Sequence, residues 1–214
     1  MRLLPLFTHS FSNIYANYSS PLDCTWSNAV LQFSGASNGS QYDRISAVWL
    51  AGTELLRTST PEPTPHGISW TFRKDITRYS SLIRRSNLTL SVMLENIIDD
   101  TYTDIFHVNI IFLFYNIIKS SISSPRKLIR NFPTASLELD QIPADLIIPV
   151  SAAGEEGFWF RIQSENDAVS REIQIPSNTY KAVIEVYVSA HGDDGFWYSN
   201  PPDYYIERNG VGSY

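Results

Sequence analysis

The sequence predicts an all-β protein, a sandwich or jelly roll followed by a second, incomplete series of strands. Short alternating or β-branched runs recur along the 214 residues, turn-forming stretches separate most of them, and only one short segment has helical periodicity. Aromatic side chains make up 13% of the chain, which suits strands and a packed core. Short strands at close intervals are typical of sandwiches and jelly rolls and not of alternating strand–helix units.

The individual elements follow from where each apolar run begins and ends. Strands are predicted over residues 29–33, 44–50, 67–72, 88–95, 105–114, 145–150, 158–163, 171–175 and 182–189. Residues 75–84 form the predicted helical turn, with Asp75 as its candidate N-cap and with Ile76, Tyr79 and Ile83 facing inward. The predicted domains are an N-terminal tail (1–20), a first β domain (21–115), a serine-rich and basic linker or insertion (116–140) and the start of a truncated second β domain (141–214).

Composition and motifs exclude several function classes. The net charge is −6 and only 16 residues are Lys or Arg, so we expect no nucleic-acid partner, because such binding depends on neutralising phosphates. The most apolar window, residues 105–118, is interrupted by His107, Asn109 and Asn116 and is shorter than the roughly 20 residues that span a bilayer, so we expect no membrane partner. The chain has one cysteine, no HExxH motif and no EF-hand loop, and we expect no metal and no cofactor.

Three N-glycosylation sequons begin at Asn17, Asn38 and Asn87. Such sequons have meaning only in a chain that enters the secretory pathway. The first residues, MRLLPLF, begin like a signal peptide, but the apolar run ends at Thr8, before the length that a signal peptide needs. We therefore expect no convincing signal peptide in this chain.

Carboxylates at predicted strand ends are the first candidates for chemistry, because loops beside strands commonly hold functional groups. Asp43 and Arg44 precede one predicted strand, and Glu95 ends another on its more polar face. Two other interpretations stay open at this point. Asp43 and Arg44 would form an ordinary surface ion pair, and Glu95 would simply face solvent.

A second group of candidates lies in HGDDGFWYSN, residues 191–200. His191 and Asp194 indicate a metal site only weakly, because no second segment supplies ligands. The aromatic side chains of Trp197 and Tyr198 suit the apolar faces of sugar rings, and carboxylates supply general acid–base chemistry on glycans. The residue types therefore favour a carbohydrate ligand.

Five stretches together resemble the N-terminal part of the plant and fungal peptide-N-glycosidase A family. They read QYDRISAVWLAGTELLRTSTPEP, GISWTFRKDITRYSSLI, DDTYTDIFHVNI, PADLIIPVS and VIEVYVSAHGDDGFWYSNPPDYYIE. The resemblance implies two side-by-side jelly rolls, so the fold class becomes a jelly-roll-like β-sandwich followed by an incomplete second jelly-roll layer. It also implies an amidase that hydrolyses the bond between N-acetylglucosamine and asparagine, turning asparagine into aspartate.

The same resemblance assigns roles to individual residues. It implies that Asp43 is the principal catalytic carboxylate and Glu95 its supporting carboxylate. The implied substrate-binding residues are Arg44, His191, Asp194, Trp197 and Tyr198. The expected partner is an N-glycopeptide or glycoprotein substrate, the expected state is a monomer, and the expected location is vacuolar or extracellular.

One position departs from the pattern, since Gly195 stands where the resemblance implies a third carboxylate. A glycine can neither move a proton nor accept a hydrogen bond from a sugar hydroxyl through a side chain. Three functions therefore stay open. The chain is an active amidase, a glycan-binding module without turnover, or a non-functional fragment with unpaired edge strands.

Overall fold

A computed structural model describes residues 2–4 (backbone only), 13–21, 25–61, 64, 66–116, 143–189 and 208. Its eight strands are β1 (Arg2–Leu4), β2 (Asn13–Ser19), β3 (Asn28–Ser37), β4 (Ile45–Leu50), β5 (Thr53–Ser59), β6 (Ile68–Asp75), β7 (Ser86–Leu94) and β8 (His107–Tyr115). A 3₁₀ turn (Thr77–Tyr79) runs into a short helix, α1 (Ser80–Ile83), between β6 and β7. The predicted all-β class is confirmed.

The strands form two antiparallel sheets of four. The first sheet has the order β1-β8-β3-β6 and the second has the order β2-β7-β4-β5. Each strand of the first half therefore lies beside its counterpart from the second half, so that β1 pairs with β8, β2 with β7, β3 with β6 and β4 with β5. The strand order is therefore nested.

The main core lies between the sheets, and β3 shows why the sequence builds it there. Buried and half-buried residues alternate strictly along this strand, as expected for a strand with one face in the core. Ala29, Leu31 and Phe33 are fully buried and meet β7 and β8 side chains such as Leu90 and Phe112. Burial of each large apolar side chain stabilises the fold by about 1.5–3 kcal/mol.

β4 differs because both of its faces are covered. Val48 belongs to the main core, whereas Ala47 and Trp49 form a second cluster on the outer face of the sheet with Met93. Phe158 and Trp159 pack on that cluster, and the rings of Trp49 and Trp159 lie 5.8 Å apart. The chain around residue 158 therefore shields the outer face of the second sheet.

The helical turn forms where the sequence predicts it. Ile76, Tyr79 and Ile83 are buried, as expected. The cap differs slightly, since Ile76 is the residue before the 3₁₀ turn, but the carboxylate of Asp75 still accepts a hydrogen bond from the N–H of Thr77 (2.8 Å).

The four strands predicted between residues 145 and 189 are wrong. The described residues from 143 onward contain a 3₁₀ turn, Gly154–Glu156, and no strand. The alternating residues Ile184, Val186 and Val188 are 69–87% exposed. Alternation indicates which side chains a strand would bury, but a strand also needs a neighbouring backbone to pair with.

The chain divides into two compact units, Met1–Gln174 and Ile175–Tyr214. The division expected from the sequence stays a prediction, because most of its linker, residues 117–140, lies outside the described residues.

Candidate active site

Two connections cross between the sheets side by side. The first connection, residues 38–44, leads from β3 to β4, and the second connection, residues 95–106, leads from β7 to β8. The N–H of Thr103 donates to the carbonyl oxygen of Ser40 (2.9 Å), and the N–H of Ser40 donates to Oγ1 of Thr103 (3.3 Å). These hydrogen bonds join two irregular segments into one surface.

Asp43 and Glu95, the predicted catalytic carboxylates, lie on these two connections. β4 begins at Ile45, just after Asp43, and β7 ends at Leu94, just before Glu95. Ser46 is paired with Leu94 in the antiparallel ladder, so both carboxylates are attached at the same end of the sheet. The fold brings the two segments together across about 50 residues of sequence.

Arg44 forms an ion pair with Glu95. Its Nη1 lies 3.5 Å from Oε2 of Glu95, and the two side chains are 14% and 31% exposed. Among the described residues the ion-pair partner of Arg44 is Glu95, so the alternative of an ordinary surface pair between Asp43 and Arg44 is wrong. Glu95 is half-buried, so the alternative of a purely solvent-facing glutamate is wrong as well.

Two tyrosines flank the Arg44 guanidinium. Its central carbon lies 5.3 Å from the centre of the Tyr42 ring and 5.5 Å from that of Tyr102. Each contact is a cation–π interaction of about 0.5–1 kcal/mol at an exposed site. The Arg44 backbone is fixed by Thr60, whose Oγ1 accepts its N–H and whose N–H donates to its carbonyl, both at 2.8 Å. Nε of Arg44 is buried without a hydrogen-bond partner among the described residues.

Asp43 is exposed, unlike Arg44, which follows it in the chain. Within the described ranges its carboxylate accepts no hydrogen bond, which leaves both oxygens accessible to water or to a ligand. A positive guanidinium follows it directly in the chain. The arrangement is a free carboxylate beside a partly buried ion pair, and it can accept a proton while the arginine binds an electronegative group.

The shape of the second connection comes from its own polar side chains. Asn96 is 5% exposed and makes a two-point contact with the backbone of Phe106, accepting its N–H at 2.7 Å and donating to its carbonyl at 3.3 Å. Oδ1 of Asp99 accepts the N–H groups of Thr101 and Tyr102, both at 2.8 Å. Asparagine and aspartate favour such local turns, and these turns place the Tyr102 ring against Arg44.

Asp104 fastens the far end of the second connection. Partial burial tends to raise the pKa of Asp104, but hydrogen bonds from the N–H groups of Asn38 and Ile105 and from the Ser37 hydroxyl outweigh it and lower the pKa below its ordinary value. The ionised carboxylate therefore holds the two connections together.

Comparison with known proteins decides the family. The family model described as peptide N-acetyl-β-D-glucosaminyl asparaginase amidase A matches residues 3–212. The chain belongs to this family. A curated relative in the family is the peptide-N4-(N-acetyl-β-glucosaminyl)asparagine amidase A of Prunus dulcis, 45% identical over 210 residues. That alignment covers 96% of this chain and 36% of the relative, so the chain spans about a third of the relative's length. No solved structure matches.

Four residues that the amidase A resemblance assigned to substrate binding lie outside the described residues. They are His191, Asp194, Trp197 and Tyr198. Gly195 lies there too, so the expected third position stays a prediction. The structure therefore brings together Asp43, Arg44 and Glu95 among the candidates.

Sequence reasoning missed three residues of this site, Gln41, Tyr42 and Tyr102. Tyr42 is 54% exposed beside Asp43, and Tyr102 lies in a polar turn between two apolar strands. The available signal for Tyr42 was an aromatic residue in a loop beside a candidate carboxylate, and for Tyr102 it was an aromatic residue in a polar turn. Gln41 gave no such signal, because an isolated glutamine in a loop is ordinarily a surface residue.

The three sequon asparagines are exposed. Asn17 and Asn87 lie on neighbouring strands, and Nδ2 of Asn17 donates to Oδ1 of Asn87 (3.1 Å). Asn38 begins the first connection, close to Asp104. Their positions are compatible with glycans on the surface.

No group of three or more metal-ligating side chains occurs among the described residues. In the same part of the chain, no helix has the length and apolar character needed to cross a bilayer.

Proposed function

We propose that the chain hydrolyses the amide between N-acetylglucosamine and asparagine in N-glycopeptides or glycoproteins. The observation that carries the proposal is the exposed Asp43 carboxylate beside the Arg44–Glu95 ion pair, at one end of paired strands β4 and β7. Membership of the amidase A family supports this choice of bond. The relative's name describes the same reaction.

The proposed reaction is a hydrolysis. Asp43 acts as the principal catalytic carboxylate and accepts a proton from a water molecule. The oxygen of that water attacks the side-chain amide carbon of the substrate asparagine. The carbon–nitrogen bond breaks, the peptide keeps an aspartate, and the sugar leaves as a glycosylamine after its nitrogen takes up a proton. A carboxylate side chain can act as this base.

Arg44 and Glu95 have supporting roles in this proposal. The Arg44 guanidinium can bind the amide oxygen as negative charge develops there. Glu95 holds the guanidinium on one side, and the tyrosine rings hold it on two others. A donor that is already oriented stabilises a developing charge without reorganising during the reaction.

The deciding experiment uses the whole chain, expressed through a secretory host, on a short N-glycopeptide at mildly acidic pH. Mass spectrometry follows the change of asparagine to aspartate. We expect conversion by the wild-type chain and a loss of about 10²–10⁴-fold in rate for Asp43→Asn. Asp100→Asn is the matched control, because Asp100 is another exposed aspartate and loses the same charge. Equal rates for Asp43→Asn and the control would refute the assigned role.

The second candidate is a glycan-binding module without turnover. Gly195 favours it, since a carboxylate is missing from the sequence at that position. A folded wild-type chain that binds the glycopeptide without converting it, while Gly195→Glu converts it, would establish this alternative. Absence of both binding and conversion in both chains would favour a non-functional fragment.

We also propose a monomer that acts in a vacuolar or extracellular compartment, with glycans at Asn17, Asn38 and Asn87. The exposed positions of these asparagines support the attachment of glycans. Glycopeptide mapping of chain secreted by a plant host tests attachment at each sequon, and light scattering tests the oligomeric state.

A further inference from the structure

Gln41 connects the two segments that carry the candidate carboxylates. It is 6% exposed. Its Nε2 donates to the carbonyl oxygens of Ile97 (2.8 Å) and Asp104 (2.7 Å), and its Oε1 accepts the N–H of Tyr42 (3.0 Å). A glutamine amide has two N–H donors, and both point at the second connection while the oxygen holds the first.

The position of this amide matters as much as its bonds. Gln41 is two residues before Asp43, and Ile97 is two residues after Glu95. The cross-link therefore lies next to both carboxylates, and it reaches the second connection at two points on opposite sides of Tyr102.

We propose that Gln41 is a positioning residue of the amidase site. Resting on the proposed function, the inference is that Gln41 holds the second connection against the first, so that Glu95 and Tyr102 stay in contact with Arg44 beside Asp43. The Arg44–Glu95 pair spans 3.5 Å between partly exposed groups, and such a pair alone holds a loop weakly. The buried amide, with its three hydrogen bonds, adds to the Ser40–Thr103 and Asp104 hydrogen bonds a restraint that lies next to both carboxylates.

The side chain at this position must donate to two carbonyl oxygens, those of Ile97 and Asp104. In Gln41→Met the length is kept, but the carbonyl oxygens of Ile97 and Asp104 lose a donor. Partly buried carbonyl groups that lose their donor favour separation of the two connections, because water can then reach them. In Gln41→Glu an ionised carboxylate would face the same two oxygens, and only its protonated form could donate.

The test compares Gln41→Met with Tyr18→Phe, which also removes a buried hydrogen bond to a carbonyl, that of Ile83 (2.7 Å). Tyr18 is paired with Leu88 near the start of β7, away from the end of that strand that carries Glu95. Two readouts need no activity. Hydrogen exchange reports on residues 97–105, and the proton NMR shift of Arg44 Nε–H reports its position between the tyrosine rings.

We expect amide exchange over 97–105 to accelerate about 10- to 100-fold in Gln41→Met and the ring-current shift of Arg44 to be lost. Tyr18→Phe should change neither. If both variants show wild-type exchange and wild-type Arg44 shifts, the proposal is overturned, whether or not the chain is an amidase. If Gln41→Met does not fold, the same readouts are made on Gln41→Glu at two pH values.

Kinetics on the N-glycopeptide give the remaining arm. Gln41→Met should lower kcat by at least about 10-fold with a smaller change in KM, and Gln41→Glu should regain activity as the pH falls and the carboxyl is protonated. Unchanged kcat and KM in a Gln41→Met chain with a loosened second connection would overturn the positioning role. A wild-type chain that converts no substrate refutes the proposed function instead, and the exchange and NMR results still decide whether Gln41 holds the site.

Discussion

Replacing Gly157 by alanine should destabilise the protein, because the Trp49 side chain packs directly against Gly157. Gly157 has φ 73° and ψ 133°, a conformation that is essentially restricted to glycine and costs other residues about 1–3 kcal/mol. The added methyl group would also overlap the Trp49 side chain, lying 2.6 Å from its Cβ and Cδ1. Overpacking of this kind costs about 1–3 kcal/mol more, so we expect the free energy of unfolding to fall by about 2–6 kcal/mol in total.

Gly154→Ala is the matched control, because Gly154 has φ 57° and no atom lies within 4 Å of the added methyl group. Backbone strain alone should cost this variant about 1–2 kcal/mol. Thermal unfolding followed by tryptophan fluorescence would measure both, with a fall in Tm of about 2–4 °C for each kcal/mol in a chain of this size. Equal losses in the two variants would refute close packing of the chain at Gly157 on Trp49.

Three further predictions concern the site and its surroundings. Arg44→Lys should lower kcat/KM on an N-glycopeptide about 10-fold or more while Tm changes little. The reason is that a lysine has no planar group to stack between Tyr42 and Tyr102. An unchanged kcat/KM would contradict this prediction. The pKa of Asp104 is lowered on folding, so its carboxylate stabilises the fold above about pH 4. Urea unfolding should therefore show Asp104→Asn to be less stable than wild type at pH 7, and this difference in stability should disappear as the pH falls through the folded pKa. A difference that grows in acid would refute this. Asn87 has φ 58°, so Asn87→Gly should be more stable than Asn87→Ala by about 1 kcal/mol in the same assay, and the reverse order would show that the left-handed backbone is not required.

Local patterns predicted β3, β4, β6, β7 and β8, but they missed β1, β2 and β5. In β3 the period of two is complete, so sequence alone identifies Leu31 and Phe33 as core residues. β4 is harder, since Ala47 and Trp49 are covered by Phe158 and Trp159 and not by the opposite sheet. No local pattern indicates that a distant segment will cover the outer face of a strand.

The candidate site was predicted only in part, for a similar reason. Asp43 and Glu95 could be found because they adjoin apolar strands, but the partner of Arg44 depends on the ladder between β4 and β7. The proposed role of Gln41 depends on hydrogen bonds to the backbone carbonyl groups of Ile97 and Asp104. Every residue has such a carbonyl group, so the sequence does not indicate which ones Gln41 binds. The strands predicted after residue 143 were wrong because alternation gives no information about a pairing partner.

The nested strand order also has a consequence for how the chain folds. β4 and β5 meet through a two-residue turn, Ala51–Gly52, in which both residues have positive φ, the geometry of the commonest tight hairpins. β1 and β8, by contrast, are separated by about 100 residues. We expect pairing to spread outward from this hairpin and to close the β1–β8 ladder last, with refolding in milliseconds to seconds by stopped-flow fluorescence. Microsecond refolding would contradict this order of assembly, in which the least local contacts form only after the hairpin has brought the outer strands within reach.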